Sequence, residues 1–160
     1  MSDYTIVIDS REGLPLWTKS TKTQEIIVKK LDTGDYSIEK HENKFGIERK
    51  SLIDLFGTLG SGHKRFKKEI QRALDLDYFA IVIEGSHTSI LEKSFDNAFR
   101  SKMNGYIINS ILFTIHVKYG IPIFYTNGRI ETKHVIKDIM NAYWKLHKPK
   151  VYTKDECGGV

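Results

Sequence analysis

Leu31-Asp32-Thr33-Gly34-Asp35-Tyr36, followed closely by Phe45-Gly46-Ile47-Glu48-Arg49-Lys50-Ser51-Leu52-Ile53-Asp54, is the stretch on which the reading of this chain turns. Side chains of a strand alternate between its faces. A strand over Phe45–Lys50 therefore sends Glu48 and Lys50 to one side and Arg49 to the other. The polar turn His41-Glu42-Asn43-Lys44 joins it to Tyr36–Glu39 as a hairpin. That hairpin returns Asp35 close to Glu48, so two carboxylates and an ammonium meet at one sheet edge. Converging carboxylates repel unless a cation lies between them. A hard ion such as Mg²⁺ binds one or two carboxylates together with substrate phosphate. It polarises phosphoryl oxygens and acidifies bound water, while Lys50 would orient that water or stabilise charge building on phosphorus. Taken alone, Glu-x-Lys is more often an ordinary surface ion pair.

Working outward, Thr5–Ile8 and Glu25–Leu31 read as strands before the hairpin, so strands one to four are expected as a meander. Phe79–Glu84 and Ile121–Tyr125 read as the fifth and sixth strands. Helices are expected over Ser51–Leu59, Lys64–Leu76, Asn104–Tyr119 and Glu131–His147. This order implies an α/β fold, a mixed sheet flanked by helices on both faces. The boundaries are one domain over 1–147 and a short tail over 148–160.

The chain has 160 residues, 40% hydrophobic and 28% charged, which suits one globular domain and excludes a disordered or membrane-spanning chain. No secretory signal is visible at the start, and the lone Cys157 excludes a disulfide framework or a Cys-rich zinc site. An intracellular, reducing setting is expected, with no membrane partner. Lys40–Arg72 holds nine basic and four acidic residues, which accounts for the whole formal net charge of +5. Such a patch suits a polyanion, nucleic acid being the commonest, or is a solvated helix face.

Gly34-Asp35, Glu48-Arg49-Lys50 and Asp54 together spell Gly-Asp-Xn-Glu-Arg-Lys-X3-Asp. This resembles the signature of the XPF-type structure-specific DNA endonucleases, within the restriction-endonuclease-like PD-(D/E)XK superfamily. Ile8-Asp9-Ser10-Arg11-Glu12, Ser51-Leu52-Ile53-Asp54-Leu55, Arg65-Phe66-Lys67-Lys68-Glu69 and Ile83-Glu84-Gly85 resemble further blocks of that family in the same order. The resemblance runs from about Thr5 to Ile139 and implies a restriction-endonuclease-like fold. It implies a Mg²⁺- or Mn²⁺-dependent endonuclease acting on branched, flapped or junction DNA. By the same resemblance Asp35, Glu48 and Lys50 are the catalytic set, and Asp9, Asp35 and Glu48 the metal ligands. Arg49, Asp54, Arg11 and Glu84 are expected to support the site, and Arg11, His63, Lys64, Arg65, Lys67 and Lys68 to touch DNA. The helix-hairpin-helix module of many members is not expected, so the chain reads as a free-standing nuclease domain. The rival readings are a non-catalytic DNA-binding partner subunit and a nuclease of the same fold without structure specificity.

Other features read more plainly. Gly57–Gly62 is a flexible turn before a basic helix, touching DNA backbone or merely connecting. His41, His87, His116, His134 and His147 lack ligand spacing. The apolar stripes of the last two helices are core, and their surplus, with Tyr143 and Trp144, offers a homodimer seam.

Overall fold

The apolar run Ile6–Ile8 and the alternating or continuous apolar segments after it pair into one six-stranded sheet. In the computed structural model, which describes residues 2–149, the strands are β1 (Ile6–Asp9), β2 (Ile26–Lys29), β3 (Tyr36–Ile38), β4 (Phe45–Ser51), β5 (Tyr78–Glu84) and β6 (Ile123–Tyr125). The helices are α1 (Leu52–Leu59), α2 (His63–Ala73), α3 (His87–Glu92), α4 (Gly105–Tyr119) and α5 (Arg129–His147), with a single 3-10 turn at Ala98–Arg100. The expected tail and Cys157 fall largely or wholly outside the described residues.

The strand order is β2-β1-β3-β4-β5-β6. Thr5–Ile8 and Glu25–Leu31 were expected to open a meander; instead β2 lies outside β1 and runs parallel to it. The physical reason is burial. All of β1 is buried and needs neighbours on both sides, whereas β2 ends in exposed Val28 and Lys29 and tolerates an edge. The long connection over 10–25 allows the parallel return. The hairpin of β3 and β4 is antiparallel, with Tyr36 opposite Ile47. Seven residues of β4 then pair in parallel with β5, and β6 completes the sheet.

Alternation along β5 divides the core. Ile81 and Ile83 face a cluster with Leu55 and Phe56 of α1, Phe66 and Ile70 of α2, and Ile108 and Leu112 of α4. Val82 faces the opposite cluster, where Ile136, Met140 and Tyr143 of α5 meet Ile8, Ile38, Phe45 and Ile47. Tyr143 and Trp144 are thus part of this chain's own core, and Tyr143 meets His41 at 3.1 Å. The apolar side chains left outside on α4 are Tyr106, Ile107, Phe113 and Val117. No helix among the described residues is long and apolar enough to cross a membrane.

Candidate active site

The candidate site is built where β1 and β4 end and the antiparallel β3 begins. Gly34 takes φ +80°, and a Cβ there would lie 3.0 Å from the Ile47 carbonyl oxygen. Only glycine passes so close in that conformation. The next residue, Asp35, is stitched on both sides: its N–H donates to Ile47 O at 2.8 Å, and its carbonyl accepts from Asp9 N at 2.8 Å. Its carboxylate Oδ2 accepts the backbone N–H of Arg49 at 2.8 Å.

Glu48 is 4% exposed. Lys50 Nζ stands 2.6 Å from Glu48 Oε1 and 5.6 Å above the Phe66 ring. Burial, then the charges of Asp35 and Glu69, push the Glu48 carboxyl well above its ordinary range. Burial, only partly offset by the Arg49 N–H, with Glu12 and Glu69 adding repulsion, pushes Asp35 up to about 7. Burial alone would lower Lys50, but the charge and hydrogen bond of Glu48, joined by Glu69 and Asp35, hold the ammonium above its ordinary value. The site is therefore short of positive charge even with Lys50 in it, which is the electrostatic condition for taking up a cation.

Arg49 points the other way, as alternation requires. Its guanidinium meets Glu84 at 2.6 Å, Glu12 at 3.5 Å and the Leu14 carbonyl at 2.7 Å. It ties β4 to β5 and to the loop after β1, and Glu84 is its anchor. Asp54 is exposed and stays apart from the carboxylates. Its carboxylate accepts Ser51 Oγ at 2.8 Å, and Ser51 accepts the Asp54 N–H at 3.2 Å, closing the N-terminus of α1. Asp9 is buried beside Asp35, but both of its oxygens are engaged: Oδ2 by Arg11 Nε at 2.9 Å and Oδ1 by Leu31 N–H at 2.9 Å. His63, Lys64, Arg65, Lys67 and Lys68 are all exposed on α2, whose buried side is Phe66, Ile70 and Ala73.

Two further residues join the site that sequence reasoning missed. Glu69 of α2 brings a further negative charge to Glu48, Asp35 and Lys50. The only signal for it is that it is the one acid among the bases of α2. Glu12 lies in the block Asp9-Ser10-Arg11-Glu12, which gave no hint of its role beside Arg49 and Asp35. Among the described residues, no three acidic, histidine or cysteine side chains converge as a closed cage for a metal. An open oxygen pair completed by substrate phosphate and water suits Mg²⁺ better than such a cage.

A family model for the ERCC4 domain matches residues 8–139, a span that runs from the end of β1 to the middle of α5. The chain belongs to the ERCC4 domain family. No curated protein sequence matches it. Among solved structures, XPF from Aeropyrum pernix is similar, with a TM-score of 0.65 at 19% identity, over 94% of this chain and 67% of that one. XPF from Aeropyrum pernix in complex with DNA has a TM-score of 0.62 at 20% identity, over 92% and 68%. At such identity the likeness establishes the fold of this ERCC4 domain, a mixed sheet between helical layers.

Proposed function

We propose that this ERCC4 domain is a Mg²⁺- or Mn²⁺-dependent endonuclease that hydrolyses DNA phosphodiester bonds at branched, flapped or junction DNA inside the cell. The observation that carries the reading is the buried Glu48–Lys50 pair at 2.6 Å beside Asp35. A surface ion pair would be solvated, whereas this one lies at a strand end among three carboxylates. Family membership supports a DNA nuclease, and the fold it shares with an XPF in complex with DNA is in keeping with a DNA partner.

Asp35 and Glu48 would hold the ion. Asp9 would join them only by giving up Arg11, whose side chain is 63% exposed, and by moving towards the pair. Held there, such an ion would supply polarisation of a phosphoryl oxygen and a more acidic water. Lys50 is held charged in a largely dry pocket, where an ammonium stabilises developing negative charge far better than in solvent. Arg49 and Glu84 keep β4 and β5 in register behind it. The exposed bases of α2 would take the DNA backbone as phosphate contacts, which position the duplex without reading its sequence. The unpartnered face of α4, with Tyr106, Ile107, Phe113 and Val117, is the surface on which a second copy would pack.

The test is a panel of labelled flap, fork, four-way junction, duplex and single-stranded DNA in Mg²⁺, Mn²⁺, Ca²⁺ or EDTA. Cleavage is expected in Mg²⁺ and Mn²⁺ on branched DNA, with binding but little turnover in Ca²⁺. Glu48→Gln and Lys50→Ala should each cut turnover by at least ~10²-fold. Full activity in EDTA overturns the site, binding without cleavage under every condition favours the non-catalytic reading, and equal cleavage of all DNAs removes structure specificity.

A further inference from the structure

The loop between α3 and α4 is irregular yet firmly held. Phe95 packs on Phe56 of α1 with ring centroids 4.8 Å apart, and Lys93 Nζ donates to Ser101 O at 2.7 Å. Met103 lies against Gly60. Within this fixed loop Phe99 is turned outward and 83% exposed, on a 3-10 turn entered through Asn97 in the left-handed conformation, φ 59°. Arg100 lies over its ring at 5.8 Å. A loop that half-buries Phe95 but presents Phe99, backed by a guanidinium, has the form of a platform for another flat group.

Arg100 also lines a cleft of about 630 Å³ between this loop and α1. Ile53, three positions after Lys50 and 56% exposed, lines it. Gly60 and Ser61, where the chain turns into the basic start of α2, line it as well. The lining of the cleft thus stands three residues along the chain from Lys50 at Ile53 and from Lys64 at Ser61. Its charged lining is Arg100 and Lys102 against Asp96, a net positive wall.

We propose that this cleft receives an unpaired stretch of the substrate strand, with Arg100 and Lys102 of its lining on the phosphates and one base stacked on Phe99, which stands beside Arg100 outside the cleft. The proposal rests on the nuclease reading and specifies how that site would select branched over continuous DNA. A base offers its π-face only when unstacked, and stacking on an aromatic side chain is sequence-tolerant and substantial. Duplex DNA has no free base face to give this ring, whereas a flap or fork arm does.

The experiment measures fluorescence anisotropy in EDTA, where turnover does not contribute. Blunt duplex, the same duplex with an unpaired oligothymidine arm, and oligothymidine alone are titrated with wild type, Phe99→Ala, Phe99→Trp and Arg100→Ala. Ile130→Ala, an equally exposed apolar truncation on α5, is the control. Phe99→Ala should weaken the armed duplex and oligothymidine about tenfold and leave the blunt duplex within about twofold. Phe99→Trp should retain the preference, with its fluorescence quenched by oligothymidine. Equal affinity of Phe99→Ala and wild type for armed DNA overturns the proposal. So does a wild type that binds duplex but gains nothing from the arm, and in that case the nuclease reading stands. Absence of binding to any DNA overturns both.

Discussion

Asp35→Asn separates the two demands made on the acidic edge, because it should make the metal-free protein more stable while abolishing cleavage. In the folded chain Asp35 is pushed from 3.8 up to about 7 by burial first and by Glu12 and Glu69 after it. Between those values the folded protein keeps a proton that the unfolded chain has released, so stability falls as pH rises from about 4 to about 7. At pH 8 the gap, at about 1.4 kcal/mol per pH unit, amounts to a penalty on the order of 4 kcal/mol. Asparagine removes the charge and keeps an acceptor for the Arg49 N–H, but gives up the attraction of Lys50. The net gain expected is roughly 2 kcal/mol, or roughly 4–8 °C in Tm for a domain of this size. Thermal melts followed by circular dichroism, in EDTA at pH 5 and pH 8, compare the two proteins. They should nearly coincide at pH 5 and diverge at pH 8 with the variant higher, and Mg²⁺ should raise the wild type far more than the variant. A variant that melts lower than wild type at pH 8 in EDTA, or whose Tm has the same pH slope, refutes the account of a charge-starved site.

Arg49→Ala strands Glu84 and Glu12, both largely buried, and should cost on the order of 3 kcal/mol in urea unfolding; a loss under ~0.5 kcal/mol would mean that the arginine ties nothing together. Lys64→Ala with Lys67→Ala should weaken binding to every DNA shape alike and flatten the salt dependence by roughly 1 to 2 units, since each phosphate that a lysine neutralises contributes about 0.9 to the slope. An unchanged slope in anisotropy titrations moves the DNA track off α2, towards Arg11 and Lys40–Lys44. Gly105→Ala should destabilise by roughly 1–3 kcal/mol, because its Cβ would lie 2.1 Å from the Ile90 carbonyl oxygen and force α3 away from α4. A melting temperature equal to wild type would show that this close approach yields freely.

What could be read from the chain alone was what depends on neighbours in sequence. Alternation in Phe45–Lys50 was enough to put Glu48 and Lys50 on one face and Arg49 on the other, and the apolar run of β5 announces a buried strand. The site residues that escaped notice depend on distant segments. Glu69 reaches the carboxylates only because α2 folds back over the sheet end, so along the chain it is one acid in a basic helix. The partners of Arg49 come from Glu84, Glu12 and Leu14, and no spacing links these three. The edge position of β2 is likewise a matter of the path taken by residues 10–25. The short α3 is too brief for a helical period, and its start depends on a bond from the Ser89 N–H to Ser86 Oγ.

The opposed facing of Glu48, Arg49 and Lys50 gives β4 an unequal tolerance to genetic change. Exchanging one side chain there alters one interaction, but adding or deleting a single residue rotates all the positions after it by half a repeat. Such a frame change would aim Arg49 into the carboxylate cluster and turn Glu48 and Lys50 towards Glu84. The strand is also held in place by close packing, since a Cβ at Gly34 would press on the Ile47 backbone and one at Gly46 would meet Leu76 and Phe79 at 3.0 and 3.1 Å. Natural or laboratory diversification of this domain is therefore confined to substitution within Phe45–Ser51, and length variation falls to the exposed turns on either side.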